Sequence, residues 1–201
     1  YKWWLFMGLE RGGPIQTFYI GNKKMPVVER GEGAYLYDER GKRYFDASSG
    51  PITCNIGHAN PKVLEAIKNQ SGKVCFASHT FFENRPNRDL ATSLVNLTGN
   101  KYDQAFFVSG GSEAIEASFK LSRQYALACG QTKKHKIIAR ATSYHGSTMG
   151  AFSASDDSEM KDNFQSLTKV SIKVPAPLSY RVPDNFDTSS YARFCLDELE
   201  R

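Results

Sequence analysis

Apolar residues recur every three or four positions in several stretches of the chain, a spacing typical of amphipathic helices. One such stretch, residues 58–72, predicts a helix that Asn60 caps at its start and a glycine ends. Leucines at helical spacing predict a second helix over residues 87–99. Alternating tyrosines on both sides of Gly41 have the period of a β-strand instead, and they predict a hairpin over residues 33–50.

Further along the chain, two short apolar runs enclose another helical pattern. AFFV at residues 105–108 and KIIA at 136–139 predict buried strands, and the spacing between them predicts a helix over residues 112–128. Glu116 and Lys120 lie one turn apart and are expected on the outer face of this helix. VSIKV at 170–174 predicts one more strand, and residues 190–201 open a further amphipathic helix. Because strand, helix and strand follow one another through tight connections, the pattern predicts a parallel, right-handed α/β unit.

Composition places the chain among ordinary globular proteins, with 40% hydrophobic and 23% charged residues and a net charge of +5. The compact basic run KKHK at 133–136 has no interleaved aromatic residues, so we interpret it as a solvated connection and expect no nucleic-acid partner. The apolar start, residues 1–9, is too short to span a membrane. We interpret it as a segment packed on the body or on a partner subunit, with a membrane-surface anchor as the alternative.

The four cysteines are scattered along the chain without the paired spacing of a zinc site or a disulfide framework. This distribution is typical of a reducing compartment, and we expect a cytoplasmic protein without a metal site.

The seam between the predicted strand 105–108 and the helix after it contains two glycines and a serine. A helix N-terminus has unpaired N–H groups and a partial positive charge, and glycines let an anion approach that backbone. Gly110, Gly111 and Ser112 therefore predict a phosphate-binding cup. A plain N-cap, with Ser112 bonded to its own helix, is the alternative.

A hydrolase is a further alternative at this seam. Gly110-Gly111-Ser112-Glu113-Ala114 misses the G-x-S-x-G pattern of a nucleophilic serine by its last residue. Such an enzyme needs an acid and then a histidine later in the chain, and His145 follows too soon for that order.

The loop TSYHGSTMG at 142–150 follows the predicted strand KIIA, which places it at the carboxyl end of the sheet, where open α/β sheets bind ligands. Tyr144 and His145 are therefore expected at the same edge as Ser112. An aromatic ring beside a phosphate cup favours a flat, phosphorylated cofactor. Taken singly, Tyr144 also fits a half-buried tyrosine with its hydroxyl in water, and His145 a hydrogen-bonded loop histidine.

Several separated motifs, taken in order, resemble one family. They are RGEGAYLYDERGKRYFDASSG, NIGHANPKVLEAI, FFVSGGSEAIEASFKLSRQY, SYHGSTMGA and PAPLSYR. Together they resemble the N-terminal half of a class III, ω-type aminotransferase that uses pyridoxal 5′-phosphate. The resemblance implies fold type I, an α/β architecture with a large domain around a mostly parallel sheet and a smaller domain. It also implies a homodimer with shared active sites. Residues 1–80 would form the N-terminal segment and part of the small domain, and residues 81–201 the first part of the large cofactor-binding domain.

Carried over by position, the resemblance assigns cofactor-binding roles to four residues. Gly111 and Ser112 match the phosphate cup, Tyr144 the aromatic residue stacked on the pyridine ring, and His145 its neighbour in the pocket. The segment SSGPITCNIGH resembles the segment that lines the substrate side, so Pro51 and Ile52 are candidate substrate-binding residues. Proline departs from the large aromatic or leucine of many family members, which puts the substrate preference in doubt.

The resemblance implies transfer of an amino group from an amino acid or amine to a 2-oxo acid or aldehyde. That chemistry needs a lysine bonded covalently to the cofactor and a carboxylate paired with the ring nitrogen. In the family both follow the part matched here, so we expect them beyond residue 201 and name no catalytic residue. A non-catalytic binding or assembly protein with the same partial fold, or a related aminomutase or decarboxylase, remains an alternative.

Overall fold

The computed structural model describes residues 25–156, 163–169 and 171–201. They form two units, one over residues 25–100 and one over residues 101–201, here called the N-terminal unit and the C-terminal unit. The predicted packed segment 1–9 and the first residue of the predicted strand 170–174 lie outside the described residues. The domain division predicted after residue 80 concerns the complete family architecture and stays a prediction.

The N-terminal unit opens with an antiparallel meander of three strands, β1 (Val28–Glu32), β2 (Tyr35–Asp38) and β3 (Arg43–Phe45). The predicted hairpin turn at Gly41 is confirmed, and this glycine has φ +76°, in the left-handed region. Asp38 holds the turn, because its carboxylate accepts hydrogen bonds from the backbone N–H groups of Arg40 and Lys42 and from the Tyr44 hydroxyl. The Tyr44 hydroxyl lowers the pKa of Asp38 below its usual value.

Three helices follow in the same unit: α1 (Ser49–Ile52), α2 (Pro61–Ser71) and α3 (Arg85–Leu97). The predicted start of α2 is confirmed, since the Asn60 side chain accepts hydrogen bonds from the N–H groups of Lys62 at 3.1 Å and Val63 at 3.4 Å. Both long helices begin at an asparagine cap followed within two residues by proline, which needs no N–H partner in the first turn.

The C-terminal unit contains α4 (Gly111–Ala128), β4 (Ile138–Arg140), α5 (Met149–Ala154), β5 (Ile172–Val174) and α6 (Thr188–Glu200). β4 and β5 pair in parallel, with Ile138 opposite Ile172 and Arg140 opposite Val174. The two strands predicted from KIIA and VSIKV are therefore confirmed, and their parallel pairing agrees with the mostly parallel sheet that the family resemblance implies. The core of this unit lies where these elements meet, and its buried residues come from each of them: Ala126, Ala139, Ala151, Phe152, Ala154, Val174 and Cys195.

The strand predicted at AFFV, residues 105–108, is wrong for the described structure. This segment has no regular secondary structure and no strand pairing, and Phe106 and Phe107 are 74% and 38% exposed. A strand needs a neighbour that supplies hydrogen bonds along its edge. No described segment runs beside residues 105–108 in this way, so an apolar run alone was not sufficient to form one.

The capping role of Asn60 at the start of α2 can be tested by substitution. We expect Asn60→Ala to lower the free energy of unfolding by about 1 kcal/mol, because two N–H groups of the first turn lose their acceptor. Asn69→Ala is the matched control in the same helix, since the Asn69 side chain bonds only the exposed Glu65 among the described contacts. Urea denaturation of the two variants measures the difference, and equal destabilisation would contradict the capping role.

Candidate functional site

The N-terminus of α4 is open towards solvent. Gly110 is the N-cap and offers no side-chain acceptor, and the first bond of the helix runs from the N–H of Ala114 to the carbonyl of Gly110 at 3.1 Å. Helix geometry therefore leaves the N–H groups of residues 111–113 without intrahelical acceptors. Residues 110, 111 and 113 are exposed, and a Cβ at Gly111 would meet nothing within 4 Å, whereas one at Gly110 would lie 3.0 Å from Glu113 Oε2.

Ser112 does not cap its own helix. It is the second residue of α4, and its Oγ accepts a hydrogen bond from the backbone N–H of Ser147 at 3.0 Å. The plain N-cap alternative is therefore wrong. Since Oγ acts as an acceptor here, its own proton remains free for donation to a second group. A nucleophilic serine needs a base such as histidine within hydrogen-bond distance of its hydroxyl. Among the described residues, Ser112 Oγ bonds a backbone amide instead, so its geometry does not match that of a nucleophile.

A glycine lets the loop approach the helix this closely. Gly146 has φ +129°, and a Cβ at this position would overlap the side chain and the Cα of Ser112. Any other residue at 146 would push the loop away from the start of α4. The hydrogen bond from Ser147 to Ser112 therefore depends on Gly146.

The loop of residues 141–148 is fastened at its other end by residues that follow α5. The N–H of Thr142 donates to the Asp156 carboxylate at 2.9 Å, and the N–H of His145 donates to Ser155 Oγ at 2.8 Å. Thr142 has φ +57°, a strained conformation for a β-branched residue. These bonds hold the backbone of the loop, while the Tyr144 side chain remains 73% exposed. Tyr144 thus lies, largely exposed, in a loop whose backbone is joined to the start of α4 at Ser147.

Glu116 has a role that the sequence interpretation missed. Its position one turn before Lys120 indicated an outward-facing pair, but its Oε1 accepts hydrogen bonds from Thr148 Oγ1 at 2.8 Å and from the N–H of Gly150 at 3.0 Å. Glu116 thereby caps the start of α5 from another helix. The Thr148 hydroxyl, and after it the N–H groups of Gly150 and Ala151, lower the pKa of Glu116 below its usual value of 4.5. The residues Ser147-Thr148 before a small-residue run were the available signal for α5.

Pro51 and Ile52, the candidate substrate-binding residues, lie in α1 of the N-terminal unit. Ile52 is 77% exposed and has φ +60°, and Ser49 at the start of the same turn has φ +52°. The left-handed backbone conformation is unfavourable for residues other than glycine, so these two residues mark the turn as strained. The structure therefore brings Gly111 and Ser112 together with the loop of Tyr144 and His145, and the substrate role of residues 51 and 52 stays a prediction.

Neither metal-binding clusters nor membrane spans occur in the part of the chain that the structure describes. Groups of three or more histidine, cysteine or carboxylate side chains in positions to hold a metal ion are absent from residues 25–156, 163–169 and 171–201. In the same residues, every helix is too short or too polar to cross a membrane.

Comparison with known proteins identifies the family. The family described as "Aminotransferase class-III" matches residues 19–201. The "Uncharacterized aminotransferase YodT" of Bacillus subtilis is 39% identical over 176 residues, which are 87% of this chain and 39% of that protein. An amine transaminase from an uncultivated Pseudomonas species, solved in the PLP-bound form, superposes with a TM-score of 0.83 at 28% identity over 93% of this chain and 45% of its own. The ω-transaminase of Pseudomonas jessenii, solved with PMP, superposes with a TM-score of 0.84 at 27% identity. The match covers 92% of this chain and 43% of the transaminase.

The chain therefore belongs to the class III aminotransferases. The predicted fold class is confirmed as well, since the matched structures are transaminases of fold type I and the described residues form a mixed α/β structure with a parallel pair. The chain spans about two fifths of the length of the relatives it matches.

The contact of Glu116 with α5 predicts how stability depends on pH. A folded-state pKa below the unfolded value means that the contribution is complete above about pH 4.5 and is lost as the pH falls through the lower, folded pKa. We expect Glu116→Gln to be less stable than the wild type at pH 7 and the difference to shrink steadily below pH 4.5. Urea midpoints between pH 7 and pH 3 measure it, and a difference that stays constant would contradict the role of the charge.

Proposed function

We propose that the protein carrying this chain is a pyridoxal-phosphate-dependent aminotransferase, which moves an amino group from an amino acid or amine to a 2-oxo acid or aldehyde. Besides the family membership, one observation carries the proposal: the hydrogen bond from Ser147 to Ser112, which joins an open helix N-terminus to the loop of Tyr144 and His145. A phosphate group and a flat ring attached to it require that combination of donors and aromatic surface.

The start of α4 is the phosphate-binding part of the proposed site. The N–H groups of Gly111 and Ser112 point out of the helix without intrahelical acceptors, and the partial positive charge of an 18-residue helix favours an anion there. The Ser112 hydroxyl, whose oxygen already accepts from Ser147, supplies its proton as a further donor. Residues 110 and 111 are exposed, so a phosphate group reaches these donors from solvent.

The loop after β4 is the proposed ring-binding part. Tyr144 offers an aromatic face on a backbone that Asp156, Ser155 and Ser112 hold in place. We assign His145, whose N–H bonds Ser155, to the same pocket as a neighbour of the ring. Pyridoxal phosphate, when bound, supplies the electron-withdrawing ring that amino transfer needs. The residues of this chain hold the phosphate, orient the ring and cover one of its faces.

Other parts of the proposal concern the complete enzyme. We assign the substrate side to Pro51 and Ile52, and the lysine and the ring-nitrogen carboxylate to the part that follows residue 201. We further propose a homodimer with shared active sites, which exposed aromatic residues such as Phe81 and Phe82 support because the complete assembly would bury them. A cytoplasmic location is supported by the four free cysteines.

The phosphate contact is tested by comparing two ligands. We expect Ser112→Ala in the complete enzyme to weaken binding of pyridoxal phosphate about tenfold more than binding of pyridoxal, because only the phosphate ester loses a hydrogen bond to a charged group, whereas loss of the bond from Ser147 affects both ligands. Ser118→Ala is the matched control, since Ser118 lies on the same helix and donates only to the Ile115 carbonyl in the described contacts. Absorbance titration of each variant measures both affinities. Equal losses for the two ligands would argue against phosphate binding at Ser112.

The stacking role of Tyr144 is tested separately. Tyr144→Ala should weaken the binding of pyridoxal phosphate and of pyridoxal roughly fivefold, because the aromatic face is lost. Tyr144→Phe should retain most of the affinity for both ligands. Tyr125→Ala serves as the control, since Tyr125 is equally exposed at 70% and lies near the far end of α4. The same titration gives the result. If Tyr144→Phe bound the ligands as weakly as Tyr144→Ala, the hydroxyl and not the ring would be the group that binds the cofactor.

A further inference from the structure

A cysteine, a histidine and an aspartate form a line of hydrogen bonds in the N-terminal unit. Cys54 Sγ lies 3.4 Å from His58 Nδ1, and His58 Nε2 lies 2.8 Å from Asp46 Oδ2. His58 and Asp46 are largely buried, with side chains 23% and 11% exposed, whereas Cys54 is half-buried and open to small reagents. None of the three residues takes part in the cofactor site proposed above.

The backbone around His58 keeps the imidazole in one position. His58 exchanges two hydrogen bonds with Gly33, at 2.8 and 3.1 Å, and a Cβ at Gly31 would lie 2.7 Å from the Cβ and Cγ atoms of His58. The turn that joins Cys54 to His58 is closed by the bond from the N–H of Gly57 to the Cys54 carbonyl at 3.0 Å. The thiol and the imidazole therefore face each other from a rigid backbone.

Asp46 determines which nitrogen of His58 carries the proton. Its carboxylate accepts from Nε2 and also from the N–H groups of Gly50 and Ser49, and the His58 bond is the main cause that lowers the pKa of Asp46. A carboxylate at Nε2 requires the proton on that nitrogen. Nδ1 of the neutral ring then has a free lone pair directed at the thiol of Cys54.

The geometry points to Cys54 as a reactive thiol, activated by His58 and Asp46, that small hydroperoxides oxidise in preference to the other cysteines of the chain. Nucleophile, base and a third group that orients the base are the arrangement by which proteins activate a thiol. The inference rests on residues 31–58 alone and is independent of the proposed cofactor and reaction.

Oxidation of the Cys54 thiol needs only these three residues and one peroxide molecule. The thiol proton moves to Nδ1 of His58, and the resulting imidazolium is stabilised by Asp46. The thiolate attacks one peroxide oxygen, an S–O bond forms and the O–O bond breaks. The leaving group, hydroxide from hydrogen peroxide or alkoxide from an organic hydroperoxide, takes the proton from His58 and departs as water or alcohol. The sulfur is oxidised by two electrons to a sulfenic acid, and the peroxide is reduced by two.

Two other cysteines of the same chain serve as internal references. Cys75 and Cys129 are exposed, more so than the half-buried Cys54. The Cys75 thiol donates only to the Ser71 carbonyl at 3.5 Å among the described contacts, and a carbonyl cannot act as a base for it. Accessibility alone therefore predicts faster reaction at Cys75 and Cys129, and activation predicts faster reaction at Cys54.

The experiment uses the purified native protein in one tube. It is treated with sub-stoichiometric hydrogen peroxide at pH 7 in the presence of dimedone, which traps sulfenic acids, and digested for mass spectrometry. We expect labelling of Cys54 to exceed that of Cys75 and Cys129 roughly tenfold, and the same order for alkylation by iodoacetamide. Equal or faster labelling of the two exposed cysteines would overturn the proposal without any variant.

Variants identify the source of the reactivity. His58→Gln should reduce labelling of Cys54 to the level of Cys75, and Asp46→Asn, which keeps an acceptor oxygen, should reduce it severalfold. The control Cys75→Ser should leave labelling of Cys54 unchanged. Circular dichroism establishes that each variant is folded. A folded His58→Gln protein that labels Cys54 as fast as the wild type would overturn the role of the histidine.

Discussion

The candidate site depends on one hydrogen bond, from the backbone N–H of Ser147 to the hydroxyl oxygen of Ser112. It joins segments that are 35 residues apart in the chain, and it does so at the only end of α4 with free N–H groups. Gly146 makes the contact sterically possible, and Glu116, one turn further along the helix, secures the next few residues of the loop. Without this junction, the open start of α4 and the loop that carries Tyr144 would be two unrelated surface features.

A glycine also allows a close polar contact in the N-terminal unit. There Gly31 allows the His58 ring to lie against the strand, as Gly146 allows the loop to lie against Ser112. In both places a residue without a side chain lets a polar group approach the backbone closely, and hydrogen bonds then hold that group. The chain thus contains, besides the proposed cofactor site in one unit, a second polar arrangement, Asp46-His58-Cys54, in the other.

Local signals predicted the elements with their own caps and turns. The helix after Asn60, the turn at Gly41 and the strands KIIA and VSIKV lie where they were expected, because caps, glycines and short apolar runs act within a few residues. The apolar run at 105–108 failed as a strand, since pairing requires a neighbour that sequence does not specify. Helix α5 was missed because its small residues have no clear period.

By itself, the sequence determined the family and the residue types of the candidate site: two glycines and a serine before a helix, and a tyrosine and a histidine after a strand. It determined them because these motifs are short and lie within one segment each. Only the tertiary structure decided what each polar group contacts. Ser112 bonds a distant amide instead of its own helix, and Glu116 faces α5 instead of Lys120, because such pairings depend on which segments the packing brings within 3 Å of each other.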